Sequence, residues 1–196
     1  MTCASCSRFF PVVVAFALLC AVAPVRGAEK TALELVKEGN RYVGEQARDK
    51  VIRIRSERSI GGLEPTIWRV MFYDRTTTFK SVEVKFGGGK MLDVGRPMRL
   101  FQPIKGTPRT LDLEKIEIDS DDAIALAQKE SMLEKLTLKS VEAKLESWEE
   151  DVPVWKIRFW AEKLRRPSEL ADIGELILSA EDGKVLKNEL RIDRVD

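Results

Sequence analysis

Few residues of this sequence could carry nucleophilic or metal chemistry. The 196 residues contain no histidine, and the cysteines are Cys3, Cys6 and Cys20. Catalytic triads need an imidazole or an equivalent base, and protein zinc sites are built mainly from imidazole and thiolate ligands. All three cysteines lie in an N-terminal segment typical of a removable leader. We therefore expect the mature chain to be non-enzymatic, with no cofactor and no bound metal.

The segment Gly87-Gly88-Gly89-Lys90 has some likeness to a phosphate-binding loop. Such a loop requires a glycine five residues before its last glycine and a hydroxyl residue after the lysine. Val84 and Met91 occupy these two positions. The glycines therefore predict a hairpin tip rather than a nucleotide site.

Two acidic clusters have the residue types for calcium binding or for paired-carboxylate catalysis. Asp119, Asp121 and Asp122 lack the central glycine and distal glutamate of an EF-hand loop, and their place before an apolar periodic segment favours helix capping. Glu149-Glu150-Asp151 has the groups for glycoside hydrolysis, but adjacent acids in a turn are more typical of a solvated loop. Neither cluster predicts catalysis.

The first 27 residues have the pattern of a secretory signal peptide. Arg8 precedes an apolar run over residues 9–22, and we predict cleavage after Gly27. The run is shorter than the roughly 20 residues that a membrane-spanning helix needs. The alternatives are cleavage after Ala28, an uncleaved anchor and a lipid attached at Cys20. We therefore expect an extracytoplasmic protein, periplasmic or secreted, with no membrane span after signal removal.

Positive and negative charges are almost balanced. Of the 33 basic residues, Arg8 and Arg26 lie in the leader, so 31 remain in the mature chain against 32 acidic residues. Nucleic-acid binding normally needs a clear basic excess, so we expect no nucleic-acid partner. Lys163, Arg165 and Arg166 form a local basic loop, which either contacts an acidic partner or is simply solvated.

The sequence contains two similar segments. Residues 67–72 read IWRVMF, and residues 154–159 read VWKIRF. Each is followed by a second alternating run that ends in a glycine–lysine pair, Gly89-Lys90 and Gly183-Lys184. Alternation predicts β-strands with one buried face, and its recurrence predicts a duplicated unit.

A predicted helix precedes each repeat. Thr31 and Glu34 form a capping box, and apolar residues continue at helical spacing as far as Ala47. Gly39 lies on this apolar stripe, which predicts a close approach to a sheet. The second helix begins at residues 119–120, where an aspartate or a serine caps it.

These patterns predict an α+β fold of two tandem units, each a helix packed on a three- to four-stranded antiparallel sheet. The predicted divisions are a signal peptide over 1–27, a degenerate first unit over 28–102, a linker over 103–118 and a second unit over 119–196.

The second unit resembles a PepSY domain. Three features are similar: an alanine-rich helix opening at residues 121–127, the alternation of Trp155, Ile157 and Phe159, and the turn DGK at residues 182–184. The first unit resembles a degraded copy of the same domain. The resemblance implies a bacterial, extracytoplasmic, non-catalytic module of a kind associated with propeptides and regulators of secreted peptidases. The tandem form looks like the architecture of the β-lactamase-inhibitor protein, in which two such units present one concave sheet to a target.

Alternation also predicts an open sheet face. If Trp68 and Trp155 point into the core, their neighbours along the same strands point outward. Several of these neighbours are tryptophan, tyrosine, methionine or arginine, the types enriched at protein interfaces. The candidate partner-binding residues are Arg69, Met71, Tyr73, Lys85, Lys156, Arg158, Trp160 and Ile177.

We therefore predict that this face binds a protein or a peptide, with a peptidase as one candidate partner. The alternative at the level of the residues is that Tyr73 and Trp160 fold over the sheet edge and are buried by loops. The alternative functions are a cell-envelope structural domain, a domain that forms a dimer, and a carrier of a small ligand. A third hypothesis is a hydrolase that uses only carboxylates, which requires a cleft with two acids held apart.

Overall fold

The computed structural model describes residues 29–95 and 109–196. The predicted signal peptide over 1–27, with all three cysteines, and the first part of the predicted linker lie outside these residues. Within the described ranges, no helix combines the length and the apolar character needed to cross a membrane.

The described chain forms two short α-helices and eight strands. The helices are α1 (Ala32–Gly39) and α2 (Ser120–Gln128). The strands are β1 (Val51–Ser56), β2 (Ile67–Tyr73), β3 (Ser81–Gly87), β4 (Lys90–Gly95), β5 (Leu138–Ser147), β6 (Pro153–Glu162), β7 (Leu170–Ser179) and β8 (Val185–Asn188). Short 3₁₀ turns cover Leu113–Lys115, Ser131–Leu133, Glu149–Asp151 and Ile192–Val195.

All eight strands belong to one antiparallel sheet, in the order β4-β3-β2-β1-β5-β6-β7-β8. The prediction of two tandem units, each with a helix on its own small sheet, is therefore wrong. β1 and β5 are paired at the centre of the sheet, where Ile54 lies opposite Leu145. Both side chains are fully buried. Separate units would leave two apolar strand edges exposed, and the pairing removes both edges.

The two helices and the apolar side of the sheet share one hydrophobic core. The predicted inward residues of β2 and β6 lie in it, which confirms the alternation: Trp68, Val70, Phe72, Trp155, Ile157 and Phe159. The indole N–H of Trp68 donates to the carbonyl of Pro65, and that of Trp155 donates to the carbonyl of Ile118. Both buried indoles therefore keep a hydrogen-bond partner.

Helix α1 is shorter than the apolar stripe predicts. The capping box of Thr31 and Glu34 is present, with both of its hydrogen bonds. The helix ends at Gly39, and turns follow in which Ala47 is still buried. A Cβ on Gly39 would lie 2.9 Å from the ring of Phe72, which confirms the predicted close approach to the sheet.

Candidate binding face

The sheet face opposite the helices, called the open face, is formed by the alternate residues of the strands. Arg69 lies opposite Lys85 of β3, and Lys156 lies opposite Ile177 of β7. The same registers and alternation place the other predicted residues on this face: Met71, Tyr73, Arg158 and Trp160. All eight candidates therefore share one face, while their role in binding stays a prediction.

The candidates differ in how much surface they offer. Met71 is 8% exposed and Ile177 is 3% exposed, so neither presents much area to a partner. Tyr73 and Trp160 are half-buried. The Trp160 ring is covered on one side by Arg58, whose Cζ lies 4.5 Å from the ring centroid. Arg58 lies in the segment after β1, so a side chain from outside the strands covers part of this tryptophan.

A row of cations crosses the middle of the open face. Its members lie directly opposite one another on five neighbouring strands: Lys85, Arg69, Arg55, Lys144 and Lys156, called the cation row. Like charges directly opposite one another destabilise a sheet, so the row depends on nearby anions. Arg55 and Lys144 are absent from the predicted set because that set is drawn from β2, β3, β6 and β7 only. The alternation of isoleucine and arginine in β1 is the signal that could have identified Arg55.

Two glutamates neutralise the first part of the cation row. Arg69 Nη1 lies 2.7 Å from Glu83 Oε1, and Arg69 Nη2 lies 2.8 Å from Glu57 Oε1. The Lys85 ammonium also contacts Glu57, at 3.0 Å. Hydrogen bonds from Arg69 and Lys85 hold the pKa of Glu57 below its usual range, while the bond to Glu83 contributes most to the raised pKa of Arg69. Both shifts favour the charged forms.

Glu146 offsets part of the positive charge in the second part of the row. Its carboxylate lies 2.8 Å from Lys144 Nζ and 3.0 Å from Lys156 Nζ. Arg53 Nε lies 3.1 Å away but makes no hydrogen bond, so this contact is electrostatic. Burial opposes ionisation of Glu146, but the two lysine hydrogen bonds and the Arg53 charge outweigh it and lower its pKa.

Arg158 belongs to a second charged group near β7. Its Nη2 lies 3.0 Å from Glu175 Oε2, and its Nη1 lies 3.5 Å from Asp172 Oδ2. Burial opposes the charge of Arg158, but the hydrogen bond and charge of Glu175 outweigh it and raise the pKa of the guanidinium. Arg158 also lines a depression of about 490 Å³, to which the C-terminal Arg191 and Arg194 contribute.

Serine side chains bridge β1 and β5 where the two strands separate, and one of them holds Arg58. Ser56 Oγ accepts a hydrogen bond from the Ala143 N–H at 2.9 Å, in place of a strand-to-strand bond. Further along, Ser140 Oγ donates to the carbonyl of Ser59 and accepts from Arg58 Nε at 2.9 Å. This bond and the Trp160 ring hold Arg58 on two sides.

Arg58 borders a small depression at the centre of the open face. The depression has a volume of about 290 Å³, and its lining includes Arg55, Arg58 and Arg69 with Glu57 and Glu142. Three guanidinium groups therefore share it with two carboxylates.

The other sequence motifs have structural roles. Gly88 and Gly89 form the two-residue tip between β3 and β4, and both have positive φ, as a tight hairpin requires. Asp119 caps α2 through its bond to the Ser120 N–H. In the basic loop, Lys163 and Arg166 both contact Glu169. No group of acidic side chains within the described residues has the geometry to hold a metal ion.

No family model, curated protein or solved structure matches this chain.

Proposed function

We propose that this chain is an exported, non-enzymatic protein that binds a protein or peptide partner through the open face. The leader pattern of residues 1–27 supports export. The resemblance to PepSY domains supports a peptidase or a peptidase-associated protein as the partner class.

One observation carries the proposal: the helices occupy one side of the sheet, while the other side presents the cation row and the charged groups beside it. A sheet face that is exposed only to water could be stabilised by placing cations opposite anions on neighbouring strands. Here Arg55 lies directly opposite Arg69 and Lys144, an arrangement that costs stability. Such a cost is typical of a surface kept for binding.

The shape of the face favours a large partner. Small-molecule pockets are mostly apolar and enclose much of the ligand. The two depressions here are lined almost entirely by charged side chains. A protein surface can contact both depressions at once, since Glu142, which lines the first, lies directly opposite Arg158, which lines the second.

Site-specific photo-crosslinking in the exported protein fraction of the native cells tests this proposal. A photoreactive residue in place of Arg158 is expected to give one dominant protein adduct, identified by mass spectrometry. The matched control carries the same residue at Lys37, which is exposed on α1 on the other side of the sheet. Adducts of equal yield from both positions, or none from Arg158, contradict the proposal.

A second candidate function, self-association, is favoured by the two sheet edges. The edge strand β4 exposes Met91, Leu92 and Val94, and the edge strand β8 exposes Val185 and Leu186. Exposed apolar edge strands are templates for pairing with another chain.

Light scattering over a concentration series tests the second candidate. If the edges pair, the mass rises with concentration, and the double substitution Val185→Lys and Leu186→Lys returns it to the monomer value. A constant monomer mass removes this candidate and leaves the open face as the binding surface.

A further inference from the structure

The centre of the open face holds positive charge that its own carboxylates do not fully neutralise. Arg55 Nη2 lies 3.8 Å from Glu83 Oε2, whereas Arg69 lies 2.7 Å from the other oxygen of the same carboxylate. Glu83 is therefore already engaged by a closer partner. Arg58 has no carboxylate partner among the described residues; it contacts Ser140 and the Trp160 ring instead.

Both incompletely paired guanidinium groups line the small central depression. Of the two carboxylates there, Glu57 is shared between Arg69 and Lys85. The other, Glu142, lies opposite Arg158, which is itself paired with Glu175 and Asp172, so the depression holds two carboxylates against three guanidinium groups. The depression therefore has a surplus of positive charge that an incoming anion would reduce.

The guanidinium groups are held in place before any partner arrives. Arg58 is fixed by its hydrogen bond to Ser140 and by the Trp160 ring, and Arg69 is fixed by two carboxylates. A planar guanidinium matches a carboxylate in a two-bond geometry, and prior fixation lowers the entropy lost on binding.

We infer that the open face binds an acidic segment of its protein partner, with a partner carboxylate seated between Arg55 and Arg58. The segment crosses the strands along the cation row, from Lys85 to Lys156. Five strands at a spacing of about 4.8 Å make this row about 19 Å long, the length of roughly six extended residues. This inference rests on the proposed function and specifies the chemistry of the partner.

The charges around the row favour an acidic protein segment over a nucleic acid. Glu57, Glu83 and Glu146 lie among the cations and would repel a continuous polyphosphate. Separate acidic side chains can point at single cations and avoid these glutamates. The chain also has a formal net charge of only +1, without the basic excess typical of nucleic-acid binding.

The test uses the purified full chain and a fluorescein-labelled oligoglutamate peptide, with binding measured by fluorescence anisotropy at low salt. The double substitution Arg55→Gln and Arg58→Gln is expected to weaken binding by about tenfold or more. Both arginines have exposed side chains, so the fold should be retained, and circular dichroism checks this. The control is Arg41→Gln with Arg48→Gln, which removes the same charge from the exposed region around the end of α1.

The control variant is expected to bind within about twofold of the wild type. Equal weakening in both variants would mean that only net charge matters. No binding by the wild type would mean that the open face does not bind acidic peptides. Either result overturns the inference. Tighter binding of an oligonucleotide of equal charge overturns it in favour of a nucleic acid. A position-specific adduct from Arg158 together with no oligoglutamate binding leaves the proposed function intact and removes only the acidic partner.

Discussion

Ser120 Oγ accepts a hydrogen bond from the backbone N–H of Ala32 at 3.0 Å, and this buried bond joins the first residues of the two helices. Asp119 Oδ1 accepts a second bond, from the Leu33 N–H at 3.2 Å. Two side chains at the start of α2, the cap Asp119 and the first helical residue Ser120, therefore satisfy free N–H groups of α1. One pair of side chains thus connects segments that lie more than eighty residues apart.

Ser120→Ala is expected to lower the free energy of unfolding by about 1–2 kcal/mol, because it leaves the buried Ala32 N–H without an acceptor. Chemical denaturation monitored by tryptophan fluorescence measures the loss. Ser131→Ala is the control, since Ser131 is exposed and its bond to Glu130 is long. Equal stability of the two variants would show that the bond between the helices contributes nothing.

The strands of this fold follow from alternation, but their assembly into one sheet does not. The indole-bearing strands are predictable because Trp68 and Trp155 each begin a regular inward pattern. The pairing of β1 with β5 is not predictable, because cross-strand rules argue against placing Arg55 beside Lys144. The surrounding glutamates make this register acceptable: Glu146 on β5 itself, Glu57 just after β1 and Glu83 on β3.

Part of the candidate face could be predicted because it also follows from strand alternation. Arg69 and Arg158 are identified by their position next to inward residues on their own strands. Arg58 lies beyond the end of β1, and nothing in its local sequence indicates that it covers the Trp160 ring. Residues placed by tertiary contacts, rather than by strand alternation, are the ones that sequence patterns miss.

Gly174 in β7 is expected to tolerate no side chain. Its φ is +90°, and an added Cβ would collide with the backbone carbonyl of Glu189, next to β8. Gly174→Ala should therefore lower the free energy of unfolding by about 3 kcal/mol, through backbone strain and displacement of the chain after β8. Thermal and chemical denaturation measure the effect.

Gly44→Ala is the matched control for this substitution. Gly44 has a normal φ, and an added Cβ there would meet no atom within 4 Å. The variant is expected to match or slightly exceed the stability of the wild type, because alanine restricts the unfolded chain. A Gly174→Ala protein as stable as Gly44→Ala would contradict the strained geometry at β7.

Glu146 is expected to make stability depend on acid pH. Its pKa is lowered in the folded protein from the ordinary value of 4.5. A carboxylate with a lowered folded pKa contributes stability above the unfolded value, and that contribution is lost as the pH falls through the folded value. The contribution of Glu146 is therefore complete at neutral pH and disappears below pH 4.5, as the carboxylate protonates.

Glu146→Gln tests this sign. The substitution should cost about 1–2 kcal/mol at neutral pH, because Lys144 and Lys156 lose their shared charged acceptor. The difference from the wild type should shrink as the pH is lowered, since the wild-type carboxylate then becomes neutral too. Glu181→Gln removes the same charge at an exposed position and is the control for stability at neutral pH. A constant difference for Glu146→Gln over the acid range would contradict the role of its charge.

Arg55→Gln is expected to stabilise the fold while it weakens binding. Arg55 lies directly opposite two other cations, Arg69 and Lys144, and its contact with Glu83 is long. Removing its charge relieves the repulsion and should raise the free energy of unfolding by about 0.5 kcal/mol. The gain should shrink in high salt, because added ions already screen the repulsion.

Arg48→Gln is the control, as it removes the same charge from an exposed turn. A surface residue whose loss improves stability but impairs binding is retained for its function. If Arg55→Gln instead destabilises the protein more than Arg48→Gln does, Arg55 is part of the structural ion-pair network, and the cation row loses its central binding residue.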